Sequence, residues 1–466
     1  MFRHAVLVVI AGLVSACDTP TADFQTGEDL PAGSASVTAS GRQAFSLPSA
    51  NLAPSRRVDF AVGNSFFRNP WVSAPASTTA RDGLGPLFNT NACQNCHIRD
   101  GRGHAPDQGS TQAVSLLVRL SIPANAGDDA RLLQQGNVPE PTYGKQLQDM
   151  ANPGSAREAL VSLTWHEQQV HLNGGQSVTL RRPALQLSEL NYGPLHPHTQ
   201  FSLRVAPPMI GLGLLEAIPE AAILTNADPE DHNQDGIRGV ANQVWDVAQQ
   251  RTRLGRFGWK AGQPSLNQQN AAAFAGDLGL TSHLFEQDDC TAAQPDCQRA
   301  PHGGDPEVSD NILRQVLFYT RHLAVPKRPL ANTEPVLMGK ALFQQVGCTA
   351  CHTPSFTTAE NAAEPELSNQ TIWPYSDLLL HDMGPELADN RGEFIASGRQ
   401  WRTPPLWGLG HTAAVSGQVS LLHDGRARSV LEAILWHGGE AQPARDAVIA
   451  LPHEQRQHLV HFVNSL

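Results

Sequence analysis

Two copies of one short pattern carry the clearest chemistry in the sequence: Cys93-Gln94-Asn95-Cys96-His97 and Cys348-Thr349-Ala350-Cys351-His352. Two thiols one helical turn apart, followed directly by an imidazole, form the attachment signature of c-type haem. The sulfurs make thioethers to the porphyrin, and the histidine lies under the iron as proximal ligand. A zinc half-site would need a second cysteine pair nearby, and a redox dithiol would not need the histidine. Both motifs carry the histidine, so the sequence predicts two covalent haems.

Other residues suggest further chemistry. Cys290 and Cys297 sit in a polar loop. In an oxidising compartment they are expected to form a structural disulfide, with a catalytic thiol pair as the alternative. Asp231-His232-Asn233-Gln234-Asp235-Gly236 has the alternating oxygen ligands of a calcium loop, so Asp231, Asn233 and Asp235 are candidate calcium ligands; an Asx-rich turn is the competing reading. Position twelve of that loop is Asn242 instead of glutamate, so it is not a complete EF-hand. His166-Glu167 with His171, and His453-Glu454 with His458, have histidines spaced i, i+5, which do not share a helix face as a zincin pair would.

These groups must be positioned by a chain of 466 residues, long enough for two or three cores. A net charge of −11 argues against a nucleic-acid-binding face. Met1 to His4 is a short basic start, Ala5 to Val14 an apolar run too short to span a bilayer, and Val14-Ser15-Ala16-Cys17 resembles a lipobox. The expectation is a lipoprotein signal peptide over 1–16, lipidation at Cys17 and a location in the bacterial periplasm. Asp18 points to an anchor in the inner membrane over the outer. Residues 17–45, rich in Ala, Ser, Thr, Gly and Pro, read as a flexible tether.

A repeat follows: Gly85-Pro86-Leu87-Phe88 leads into the first haem motif, and Gly339-Lys340-Ala341-Leu342-Phe343 into the second. The expected fold is mainly α, with two cytochrome c-like haem domains. The first, 46–330, is enlarged by a loop-rich insertion with some β structure, including alternating runs at Ser115–Leu120 and Ser177–Leu180. The second, 331–466, is compact, with a helix over Val336–Val346 and another formed by the last fourteen residues. Val430, Ala433, Ile434 and His437 share one helix face, which would deliver an imidazole to a buried site before Gly438-Gly439 ends the helix.

The C-terminal half also contains Leu380-His381-Asp382-Met383-Gly384, Trp401-Arg402-Thr403-Pro404-Pro405 and Leu422-His423-Asp424-Gly425-Arg426. With the two haem motifs, these make residues 55–466 resemble the di-haem oxidoreductase family described as peroxidases, distant relatives of the bacterial di-haem cytochrome c peroxidases. The resemblance implies a closed, low-spin C-terminal haem and a reactive N-terminal haem exchanging electrons. His437 stands where relatives supply the sixth ligand of the C-terminal haem, usually as Met; Met383 is the rival here. The resemblance also implies Trp259 as an electron relay, with Gln269 and Asp277 beside the first haem and Glu216 as a second candidate acid. Arg402 and Arg426 are candidate partners of haem propionates. His104 and His196 are open possibilities for the first haem's sixth ligand. The implied partners are peroxide as substrate, small redox proteins as electron donors or acceptors, and imelysin-like periplasmic proteins linked to iron uptake. The alternative functions are a membrane-tethered di-haem electron carrier, or a haem enzyme that oxidises a partner protein.

Overall fold

The computed structural model describes residues 21–111 and 114–466. The expected signal peptide and Cys17 lie outside the described residues. Helices dominate, and the sheets are small and antiparallel. Among the described residues, no helix is long and apolar enough to cross a membrane.

The elements that frame the site are helix α1 (Arg57–Arg68), strands β1 (Leu116–Ser121), β2 (Leu160–His171), β3 (Ser177–Ser188) and β4 (Gln200–Val205), then helices α2 (Leu266–Leu278), α3 (Asp310–Arg321), α4 (Glu334–Gln345), α5 (Val430–Leu435) and α6 (His453–Ser465). Both alternating runs are strands. β1 pairs with β4 from Leu116↔Val205 to Ser121↔Gln200, and β2 pairs with β3 over twelve positions from Leu160↔Ser188 to His171↔Ser177. His166 and His171 therefore lie on a strand, away from any zincin helix.

Two helix crossings show how the halves are built. α1 packs on α3 through Gly63, where a Cβ would collide with Gln315 O and with Tyr319 Cβ. α4 packs on α6 through Gly339, where a Cβ would collide with His458 O and with Phe462 Cβ. Four residues after each glycine stands a phenylalanine. Phe67 contacts Tyr319 and the ring of His97; Phe343 contacts Phe462 and the ring of His352. The structural counterpart of Gly339…Phe343 is therefore Gly63…Phe67. The expected match with Gly85…Phe88 is corrected: Leu87–Phe88 is a short strand paired with Met150–Ala151. Each buried phenylalanine at these crossings contributes about 1.5–3 kcal/mol.

The tether expectation fails from residue 21 onward. Glu28 is fully buried and pairs with Lys340 Nζ at 2.8 Å, and its carbonyl accepts from Arg328. Val37 bridges Pro326, and Trp373 N donates to Pro31 O at 2.8 Å. Ala32, Ala35, Ala44 and Phe45 join a core that runs through Ile210, Leu214 and Phe257 to Leu379 and Trp407. Small residues that read as linker are here the ones that allow close packing. The two halves share this core. The β2–β3 hairpin strengthens the union: Asn173 at its turn donates to Ile449 O, and Arg181 donates to the carbonyls of Gly425 and Arg426.

Cys290 and Cys297 are joined as a disulfide, Cα atoms 5.7 Å apart, in the loop after α2.

Candidate functional site

Each haem motif is a single turn with the same internal bond. Cys93–Cys96 is helical, and His97 N donates to Cys93 O at 2.9 Å. Cys348–Ala350 is a 3-10 turn, and His352 N donates to Cys348 O at 3.0 Å. The turn brings both sulfurs and the ring to one side. Among the described residues, none of the four sulfurs is paired with another cysteine. Burial pushes the Cys93 and Cys348 thiols up to about 12 and raises those of Cys96 and Cys351 as well. A reactive dithiol needs a depressed thiol pKa, so the redox-pair reading does not fit.

Three imidazoles are prepared alike. His97 Nδ1 bonds to Pro207 O at 2.7 Å, His352 Nδ1 to Tyr375 O at 2.9 Å and His437 Nδ1 to Ala433 O at 2.7 Å. A carbonyl only accepts, so each Nδ1 carries the proton and each Nε2 is left as a lone-pair donor. Burial holds all three neutral, taking His97 and His352 down to about 4 and lowering His437. This is the state an iron ligand requires, and the carbonyl bond fixes the ring's orientation.

The three rings open on one cavity of about 490 Å3, which reaches from the first motif to the second. His437 lies close enough to His352 to lower its pKa electrostatically, after the larger effect of burial. α5 delivers His437 as its apolar face predicts. Ser429 caps the helix start by accepting from Glu432 N, and Val430, Ala433 and Ile434 line the cavity beside the ring. Met383 also lines the cavity, directly after the short strand Leu380–Asp382, and its carbonyl lies against Gly438.

The wall over the first motif comes from α2. Ser265 caps its start by accepting from Gln268 N, and Gly279, at φ +65°, ends it. Gln269, Ala273 and Asp277 repeat at helical spacing and line the cavity. The Asp277 carbonyl accepts from Asn89 N and Thr90 N, which ties α2 to the chain entering the motif. Its carboxylate Oδ1 accepts from Gln146 Nε2 at 2.9 Å. Burial raises the Asp277 pKa, against weaker lowering by Arg119 and the Gln146 bond. Trp259 lines the same cavity, with Nε1 donating to Val205 O and the Arg102 guanidinium 5.1 Å from its ring centroid.

Other expected residues take different roles. Glu216 is corrected: its Oε1 accepts from Leu266 N at 2.8 Å and its Oε2 pairs with Arg321 at 2.7 Å, so it anchors α2 to α3 and does not line the cavity. Arg426 is corrected too: it grips Asp424 through Nε and NH2, donates to Glu386 O and is not on the cavity wall. Neither His104 nor His196 lines the cavity. In the Asp231–Gly236 turn, Asp231, Asn233 and Asp235 accept from the turn's own amides at Gly236, Asp235 and Ile237, as an Asx-rich turn would.

A family model described as "Di-haem oxidoreductase, putative peroxidase" matches residues 30–466. The chain belongs to the di-haem oxidoreductase family. No curated protein and no solved structure matches it.

The cavity of this di-haem oxidoreductase fits haem in its polar groups as well as its ligands. Arg102 and Arg402 line it as buried residues, their pKa values lowered to about 10 by burial. Among the described residues, the Arg102 guanidinium donates only to Ser420 O and Leu422 O, and that of Arg402 only to Gly258 O and Thr403 O. A buried guanidinium without a carboxylate partner calls for a counter-charge, and a haem propionate suits its fork geometry. Arg402 was legible from its motif; Arg102 was not, because nothing in its local sequence marks it.

In the sequence His381 stands only as one residue of the Leu380–Gly384 motif. Its ring lies between Asp377 Oδ2 at 2.8 Å and Glu440 Oε2 at 2.7 Å, with Cys351 Sγ at 3.5 Å. Burial opposes its charge, yet the bonds to Asp377, Cys351 and Glu440 hold its pKa well above the usual value. A clamped imidazolium thus stands beside the second motif.

Proposed function

We propose that this di-haem oxidoreductase is an exported, lipid-anchored periplasmic enzyme that reduces peroxide, with haem joined through thioethers to Cys93 and Cys96 and to Cys348 and Cys351. When bound, the haems supply irons that exchange single electrons and activate peroxide. The carrying observation is the asymmetry of the cavity. At the second motif, His437 faces His352 with a free Nε2. At the first, α2 presents Asp277 and Gln269, and neither expected histidine reaches the wall.

That asymmetry supports a division of labour. His352 and His437 would hold one haem through their two Nε2 atoms. His97 holds the other from one side, leaving space beside an acid of raised pKa. Asp277 Oδ2, free of the Gln146 bond, can take a proton from an incoming peroxide and return it to the departing oxygen, with the Gln269 amide orienting it. Trp259, packed against Val205 and Arg102 along the cavity, is the proposed path for an electron between the halves. The helix crossings at Gly63 and Gly339 support two related cytochrome c-like units. The partners would be small redox proteins as electron donors, with imelysin-like proteins as a second partner class. The calcium reading rests on Asp231, Asn233 and Asp235.

Covalent attachment has a direct check. The denatured chain should keep its haem on a gel, and the reduced pyridine spectrum should give two c-type haems per chain. One haem, or haem extracted by acidified acetone, would contradict it. For the reaction itself, the purified holoprotein should consume hydrogen peroxide at the expense of a reduced small c-type cytochrome; no turnover with any such donor leaves the carrier reading.

A further inference from the structure

Away from the cavity, at the seam between the two halves, lies an unexplained group: His322 at the end of α3, with Glu364 and Glu366 from the turn around Pro365–Leu367. Among the described residues, this is the group of three His, Cys, Asp or Glu side chains whose ligand atoms, one from each, all fall within 4.8 Å of one another.

His322 supplies the decisive detail. Its side chain is fully buried, and Nδ1 bonds to Phe318 O at 2.9 Å. Nδ1 must therefore carry the proton, leaving Nε2 with a bare lone pair. Nε2 makes no hydrogen bond. It faces Glu366 Oε2 at 3.8 Å, too far for a hydrogen bond. Glu366 Oε2, part-buried and held by Arg56, is an acceptor too and cannot satisfy the buried Nε2 lone pair, whereas a cation between the two would.

We propose that His322 Nε2, Glu364 and Glu366 form a binding site for a divalent transition-metal ion, with zinc the metal this donor set suits best. One imidazole nitrogen and two carboxylate oxygens, with water as a fourth ligand, match zinc's preferred tetrahedral set. Bonds of about 2.1 Å place tetrahedral ligands roughly 3.4 Å apart, so the separations here close with small side-chain rotations. The second ring nitrogen already donates to a carbonyl, the usual support of a metal-bound histidine.

Arg56 reaches Glu364 Oε2 at 2.5 Å and Glu366 Oε2 at 2.6 Å, and Arg321 reaches Glu364 Oε1 at 3.5 Å. A carboxylate has about four lone-pair directions, so these arginines orient the acids and leave directions for the metal. With Glu216, which Arg321 also grips, three carboxylates face two guanidiniums and a neutral imidazole, so the group keeps a net negative charge that favours a bound cation. The Arg56 side keeps 29% of its side-chain exposure, which gives the ion a way in. The site would tie α3 of the first half to the Pro365 turn of the second.

The test uses the haem-loaded full chain, stripped of loose metal by dialysis against a chelator. Zinc chloride is titrated in competition with a zinc-binding dye, comparing the native protein with His322→Gln, Glu366→Gln and Glu364→Gln. The expected result is one zinc per chain that each substitution weakens at least about tenfold, over a weak background common to all. Soret absorption and near-ultraviolet dichroism report folding. If His322→Gln disturbs the core, the two glutamate variants decide, since the bond from the Asn51 side-chain amide to the main-chain Glu366 O survives in both. Equal zinc affinity and stoichiometry in the native protein and the glutamate variants would overturn the proposal, as would no binding beyond the background.

Discussion

Replacing His437 with alanine should convert one of the two haems from low spin to high spin and leave the other unchanged. On α5 the cavity-facing stripe of Val430, Ala433 and Ile434 places His437 opposite His352. Its Nδ1 proton is spent on Ala433 O, so Nε2 is the atom it offers. Alanine keeps the helix and removes the ligand. Met383, on the same cavity wall, is the control: Met383→Leu keeps the volume, removes the thioether, and should leave both haems as they are. The changes are read from absorption and low-temperature resonance of the oxidised protein. The opposite pair of results would assign the ligand to Met383.

The second large effect is expected at Asp277. Asp277→Asn should lower peroxide turnover by about 10²–10⁴-fold, the usual scale for losing a positioned acid–base group. The substitution is mild structurally. The main-chain carbonyl that holds Asn89 and Thr90 is untouched, and asparagine Oδ1 can still accept from Gln146. Direction of the pH effect follows from the raised pKa. Asp277 must be ionised to take the first proton, so activity falls as pH drops through its pKa. Burial places that loss at higher pH than for a free aspartate, near 3.9. In the asparagine variant this acid limb should vanish, which a merely structural role would not produce. Measuring turnover against pH for both proteins checks size and sign together.

Both predictions draw on residues that were legible before the fold. Cys-x-x-Cys-His is a local pattern whose spacing alone makes one turn, and His437 follows from helical periodicity. Asp277 and Gln269 came through resemblance, and the structure sets them two turns apart on one cavity-facing helix. What failed was decided by partners that local pattern does not assign. Glu216 reads as a free acid until Arg321 and Leu266 N claim its oxygens. Arg426 reads as a propionate partner until Asp424 takes its fork. Residues 21–45 read as linker because they are small and polar, yet Glu28 finds Lys340 across the fold, and Phe45 and its alanines fill a core. The repeat was misaligned because Gly63…Phe67 is separated from its haem motif by a long loop, whereas Gly339…Phe343 runs almost directly into the second. Short-range pattern favoured Gly85…Phe88; helix packing chose Gly63.

The central claim is that one haem is closed by His352 and His437 while the other, on His97, is open beneath Asp277. Low-temperature electron paramagnetic resonance of the fully oxidised and half-reduced holoprotein, before and after peroxide, tests it most directly. The account predicts one low-spin and one high-spin haem, with the high-spin signal altered by stoichiometric peroxide and the change slowed in Asp277→Asn. Two low-spin haems at every level of reduction, with no response to peroxide, would contradict it.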